Sequence, residues 1–339
     1  MRSHWARAIG AAVMLLGAGC GGSSPTSTSE TVDATATLAF TVSPIDVAAI
    51  QYIVPLGQMG PWAHTLPTDH AYVYHHLGAG TFAPVPVMAP AAGTISNTYP
   101  GLNGEVKVWV KVNSRYTYYF DHVVLAAGLG TGSRVAAGAQ IGTSPAIAFD
   151  FAVTDQLTPQ SFLTPARYGL DTVYARSPWP YFVEPIRSAL YAKVQRSGDG
   201  LDGKINFDVA GTLSGNWFAE DLPVNQSSGN DISIGGRQLA FARDQRFPDR
   251  QRVSIGGLGL LGLWGVPPDA PDFAAITSAS GIVTYRLLYA GEPGGPAGTQ
   301  PSGLMVVQLV DGQHLRVEVI ADPLATAASF SSQARIYVR

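Results

Sequence analysis

The chain has 339 residues, with 21 Lys and Arg against 24 Asp and Glu, a net charge of −3 and only 13% charged residues. Without a basic excess to neutralise a phosphate backbone, nucleic acid is excluded as a partner. One cysteine rules out an internal disulfide framework and any multi-cysteine zinc site, while 38 Gly and 24 Pro imply frequent turns and point to an all-β chain of about two domains.

Residues 1–20 run from Met-Arg-Ser-His-Trp-Ala-Arg through the apolar stretch Ala8–Leu16 to Gly-Ala-Gly-Cys, the charged, apolar and small-residue zones of a secretory signal. The apolar stretch is too short to span a bilayer. Leu16-Gly17-Ala18-Gly19-Cys20 resembles the lipobox of bacterial lipoproteins, with Gly17 where that pattern usually has Leu and Leu16 one step early. An ordinary signal peptide with a chance Cys is the alternative. The resemblance implies diacylglycerol on Cys20 and an exported protein, lipid-anchored at the bacterial cell envelope, in the outer membrane rather than the inner. Residues 21–40, opening Gly-Gly-Ser-Ser-Pro-Thr-Ser, are expected to form a flexible tether.

A β domain is expected over residues 41–165. Val85-Pro-Val-Met and Gly93-Thr-Ile95 read as strand pieces at an edge or bend, because Pro cannot donate to a ladder. Val106 to Val112 alternates with four valines on one face, and Tyr116 to Phe120 follows after Asn-Ser-Arg, which predicts a hairpin. Residues 166–195 are expected to be a linker, with Ser177-Pro-Trp-Pro180 and a short helix from Glu184 to Val194. Residues 196–339 read as a second β domain, a sandwich or barrel, with strands at 204–210, 238–243, 252–255, 281–289, 304–310, 314–320 and 334–339.

Several motifs have bland readings. Gly257-Leu-Gly-Leu-Leu-Gly262 has the spacing of a dinucleotide fingerprint, but Pro267-Pro268 stops the helix which that fold needs, leaving a glycine-rich strand end. Asp199-Gly-Leu-Asp202-Gly lacks the further oxygens of a calcium loop and reads as a tight turn. Trp217-Phe218 could stack on sugar rings, although aromatics in a β domain more often fill the core. The arginines at 237, 243, 246, 250 and 252 read as a solvated strand face.

Four of the seven histidines lie between 64 and 76, and His64, Asp69 and His70 place three candidate metal ligands within seven residues. Imidazole and carboxylate suit a catalytic zinc; the competing reading is that Asp69 and His70 cap a turn. If His70 to Tyr74 is a strand, His70, Tyr72 and Tyr74 share one face and Asp69 takes the other, so only one of the pair looks into a given site. His75 and His76 precede Leu-Gly-Ala-Gly and read as loop residues.

The order His64…Asp69-His70, Val85-Pro-Val-Met-Ala-Pro-Ala-Ala-Gly93-Thr-Ile95, Tyr118-Tyr-Phe-Asp-His122, Val135-Ala-Ala-Gly138-Ala-Gln-Ile141-Gly142 and Ala148-Phe-Asp150 resembles the lysostaphin-type (LytM-like) murein endopeptidases over residues 45 to 160. The resemblance implies a duplicated hybrid motif fold, zinc, and cell-wall peptide or peptidoglycan as the partner. Carried over by position, His122 matches a catalytic histidine. His64 and Asp69 match the first two zinc ligands with one residue too many between them, so that a bulge is needed or His70 has taken over. At the family's His-x-His strand stand Ala148 and Asp150: the catalytic histidine is missing, and a carboxylate replaces the third ligand. A degenerate metallopeptidase-like domain that binds or organises peptidoglycan is therefore expected. An active zinc hydrolase with unorthodox ligands, or a structural lipoprotein without a site, are the alternatives.

Overall fold

The alternating segments of the first half pair into one twisted sheet. In a computed structural model, which describes residues 31–78, 80, 82–226, 232–289, 298–326 and 329–339, the strands are β1 (Tyr52–Val54), β2 (Ala71–Tyr74), β3 (Val85–Met88), β4 (Gly93–Pro100), β5 (Val106–Lys111), β6 (Tyr116–Leu125), β7 (Arg134–Val135), β8 (Gln140–Ser144), β9 (Ala148–Asp155) and β10 (Ala175–Arg176). The leader, Cys20 and the expected tether up to residue 30 lie outside the described residues, while the tether's expected end is not flexible: Phe40 is fully buried in the sheet-domain core, with Leu38 packed against it. The sheet order is β1-β2-β9-β6-β5-β4-β7, with β10 on β9, and β8 joining β3 to β6.

Alternation sorts the two faces of this sheet. On one side Phe149, Phe151 and Val153 of β9 meet Tyr118 and Phe120 of β6 and Val108 and Val110 of β5 in a sealed core. The register places Tyr72 opposite Asp150, and Asp150 opposite Asp121, so the intervening residues carry polar groups to the other side. The two faces are thus chemically opposite.

The segment 166–195, expected as a linker, instead belongs to this core. Trp179, Phe182 and Leu190 are buried in it, and Phe151 meets Trp179 edge-on at 5.8 Å between ring centroids. Its helical pieces are α1 (Leu170–Val173) and α2 (Ile186–Tyr191). Burying an aromatic side chain is worth roughly 1.5–3 kcal/mol, enough to pull a Pro-rich connection onto the sheet.

The second half is a closed barrel of eight antiparallel strands, β11 (Gly215–Ala219), β12 (Gln238–Arg243), β13 (Gln251–Ile255), β14 (Gly262–Gly265), β15 (Val283–Tyr289), β16 (Pro301–Leu309), β17 (His314–Ile320) and β18 (Arg335–Val338), closed by β11 on β18. A short helix, α3 (Ile232–Gly235), precedes β12. Closure removes the exposed strand edges. Trp217, Leu239, Phe241, Tyr285 and Val317 fill the interior. Trp217 and Phe218 are almost wholly buried, which removes the sugar-platform reading.

The expected strand at 204–210 does not form. Ile205 and Phe207 are buried, but in two different clusters, and the backbone between them crosses from sheet to barrel without a ladder. Asp208 replaces strand pairing by accepting from the backbone N–H groups of Leu163 (3.0 Å) and Asn216 (2.9 Å).

Candidate metal centre

The polar face of the sheet collects His70, Asp121, His122 and Asp150 into one cluster. Asp150, on β9, is 3% exposed and points away from the aromatic core. Its Oδ2 lies 3.2 Å from His70 Nε2 and 3.8 Å from His122 Nε2, while its Oδ1 is buried without a hydrogen-bond partner among the described residues. Ligand atoms of Asp121, His122 and Asp150 all lie within 4.8 Å of one another.

A break in β6 makes this grouping possible. Val106 pairs with Val123 and Val108 with Phe120, so two residues, Asp121 and His122, stand opposite Lys107 alone. This is a bulge. His122 takes φ +63°, a left-handed conformation rare for a residue with a side chain, and its own N–H bonds the Asp121 carboxylate at 2.8 Å. His122 Nδ1 is 2.9 Å from Glu105 Oε2, which fixes the ring with Nε2 turned toward Asp150.

Asp69 and His70 precede β2, which begins at Ala71; His70 shares a face with Tyr72, as alternation predicts, whereas Asp69, expected on the other face, reaches the same region. Their tasks differ. Asp69 Oδ1 takes bonds from His70 Nδ1 (2.9 Å) and the Tyr119 hydroxyl (2.7 Å), and Oδ2 takes one from Thr172 (2.5 Å). Asp69 therefore orients His70, whose Nε2 faces Asp150 and the Tyr72 hydroxyl at 3.1 Å. Of the two candidates, it is His70 that meets Asp150. His64 stands beside it, ring centroids 5.5 Å apart, with no hydrogen bond to either ring nitrogen among the described residues. His75 bonds Ser144 and His76 stacks on Phe82, both away from this cluster.

Charge follows the packing. Burial pushes the Asp150 carboxyl up against the opposing pull of His70 and His122. Burial alone would depress His70 and His122, but the Asp150 charge, with Asp69 for His70 and Glu105 for His122, lifts both above the ordinary imidazole value. The Asp69 carboxyl is also resisted by burial, yet its bond to His70 and the nearby Lys107 charge hold it well below the carboxylate range. His64 has no such compensation: burial, then repulsion from His70, lower it from 6.5 to about 3, so it is a neutral imidazole at physiological pH.

Two imidazoles and a buried carboxylate with an unpaired oxygen, next to a third, neutral imidazole, are an acceptable donor set for Zn²⁺. Ligand atoms around one tetrahedral zinc are roughly 3.3 Å apart; the His70–Asp150 and His122–Asp150 pairs stand at 3.2 and 3.8 Å, and Asp121 joins His122 and Asp150 within 4.8 Å. The residues present fit the metal.

No family model matches the sequence, and no curated protein does. Among solved structures, Csd3 of Helicobacter pylori in its hexagonal crystal matches at 16% identity and TM-score 0.30, covering 48% of this chain and 40% of that one. The M23 metalloprotease pseudoalterin matches at 16% and 0.27, covering 42% and 83%. Lysostaphin of Staphylococcus simulans matches at 16% and 0.28, covering 89% and 92%. This chain thus spans less than half the length of the Csd3 structure. The scores are too low to assign the chain to a family.

Glu105, Asp121, Tyr119 and Thr172 were not singled out by the sequence, and Tyr72 only as sharing the face of His70. Glu105 had a usable signal: a hairpin pairing Val106 with Val123 brings residue 105 beside residue 122. Thr172 had none, since it joins Asp69 across 103 residues.

Proposed function

We propose that the sheet domain is a divergent lysostaphin-type metallopeptidase-like domain that holds zinc at the cluster of His70, Asp121, His122 and Asp150, with His64 adjacent, and binds cell-wall peptide there. The observation that carries this reading is the buried Asp150 carboxylate, one oxygen facing two imidazoles and the other unpaired. A bound zinc would supply Lewis-acid polarisation of a peptide carbonyl or an activated water.

The chain's own groups favour binding over turnover. Ala148 stands opposite Tyr74 at the place where the resembled family has a catalytic histidine, and a methyl group can neither move a proton nor bond a developing oxyanion. His122 is the half-exposed imidazole of the cluster; with Nε2 on the metal and Nδ1 bonded to Glu105, it has no ring nitrogen free to exchange a proton. Loss of one acid–base partner lowers rates by about 10²–10⁴-fold. The reading includes an exported protein tethered to the envelope by lipid on Cys20.

Zinc content measured by mass spectrometry on the purified chain tests the site: one equivalent is expected, removed by chelator and lost in Asp150→Ala. Retention on purified peptidoglycan without release of muropeptides is expected alongside. Muropeptide release dependent on zinc would establish an active hydrolase instead. Absence of both zinc and retention would leave a structural role. Incorporation of a labelled fatty acid, abolished by Cys20→Ala, tests the anchor.

A further inference from the structure

We propose that the barrel is part of the metal centre, because it clamps the loop that presents His64; Thr65, Gly235 and Gly256 are positioning residues. The proposal rests on the metal reading given above for its functional meaning, and on separate contacts for its structural part.

His64 sits on no strand of the sheet. Its loop is closed by a two-residue bridge in which the Gly60 N–H bonds the His64 carbonyl at 2.8 Å and the His64 N–H bonds the Gly60 carbonyl at 2.9 Å. Between β1 and β2 the loop is held from within by these two bonds and by two more, from the Gly57 N–H to the Thr68 carbonyl (2.9 Å) and from the Thr68 N–H to the Gln58 carbonyl (3.0 Å). The barrel fixes its outer side. Met59 and Leu66, one on either side of the bridge, pack with Ala240, Ala242 and Leu263 in a small apolar cluster. Strand β12 is built for this: Leu239 and Phe241 fill the barrel, while the alternate Ala240 and Ala242 offer a flat outer surface.

Next to His64, the buried Thr65 hydroxyl donates to the Gly235 carbonyl at 2.8 Å. Three backbone segments stack at this point with no room for side chains. A Cβ on Gly235 would fall 2.0 Å from the Trp62 carbonyl oxygen. A Cβ on Gly256 would fall 1.8 Å from the Gly235 oxygen and 2.9 Å from Thr65 Oγ1. The glycines let α3 and the end of β13 lie directly against the loop. The hydroxyl bond then fixes the residue after His64, and with it the imidazole beside His70.

The test uses the full chain with Thr65→Val, which keeps the shape and removes the donor, and Thr65→Ser, which restores it. Zinc affinity is measured by competition with a chromophoric chelator, amide exchange at Gly60 and His64 by NMR in metal-free protein, and global stability by denaturant unfolding. Because His64 packs against the His70 ring, Thr65→Val is expected to weaken zinc binding about 10-fold, the usual effect of losing a group that supports a ligand. Exchange at Gly60 and His64 should quicken, and Thr65→Ser should restore both. Zinc affinity like that of the wild type in Thr65→Val overturns the proposal. If the wild type itself binds no zinc, the metal reading has failed, and exchange at Gly60 and His64 still decides whether the clamp exists: unchanged rates remove it too. Should Thr65→Val unfold, Leu66→Ala trims the same contact and is held to the same two readings.

Discussion

Asp244 in the barrel and Asp150 in the sheet are both nearly sealed from water, 1% and 3% exposed, yet their surroundings differ in kind. Asp244 accepts from the backbone N–H groups of Arg246 (2.8 Å) and Phe247 (2.9 Å) on one oxygen and from Arg252 Nε (2.8 Å) on the other. Every demand of that carboxylate is met from within. Asp150 has one oxygen turned toward two imidazoles and one without a hydrogen-bond partner among the described residues. A buried polar group is normally satisfied, and an exception at a cluster of metal-ligand types marks a place set aside for chemistry or binding. The barrel spends its buried charge on shape, whereas the sheet domain holds its own in reserve.

Breaking the two aspartates separately should give opposite results. Asp244→Ala strands the buried Arg252 guanidinium without its carboxylate and is expected to lower unfolding free energy by about 3–5 kcal/mol, read from the denaturant midpoint. Asp150→Asn should leave metal-free stability within about 1 kcal/mol of wild type, since it removes a charge that burial disfavours. Equal losses from both would erase the distinction. Zinc should then sharpen it: at a hundred times its dissociation constant the metal adds ~2.7 kcal/mol to the wild type. It should add nothing to Asp150→Asn, as thermal unfolding with and without metal would show.

A smaller effect is expected from Glu105→Ala, which frees the His122 ring. Zinc affinity should fall about 10-fold with the fold unchanged, measured by chelator competition and circular dichroism. The smallest concerns pH. Because the folded-state value of His64 lies at about 3 against 6.5 for the free residue, the native state binds its proton less readily than the unfolded chain. That penalty is absent above pH 6.5 and grows as pH falls toward 3. His64→Gln removes it, so between pH 6.5 and 5 the variant's unfolding midpoint should fall less than the wild type's. Parallel curves would show His64 to be freely solvated.

Much of the β framework could be read from alternation, which is a local signal. The Val106–Val112 and Tyr116–Phe120 hairpin and the barrel strands at 238–243 and 314–320 all show it, and all form. Alternation misled at Lys204–Ala210, where Ile205 and Phe207 are buried as a strand's would be, but in separate clusters. It also failed at Asp69, which lies before the strand and reaches the same side as His70. Within the cluster, the residue types at 64, 70, 122 and 150 were legible and their division of labour was not. Asp69 is drawn into orienting His70 by Tyr119 and Thr172, partners 50 and 103 residues away, and no local pattern carries such a pairing.

The irregular step in β6 has a consequence for how this surface can change over generations. Since Asp121 and His122 stand together opposite Lys107, the aim of the imidazole depends on the length of the chain there as much as on the identity of the residue. Deleting a single codon at that point would let the hairpin run straight and turn one of the two neighbours through the sheet to its opposite side. Gain or loss of a ligand here can thus come from a frame-preserving indel, with every side chain chemically unaltered.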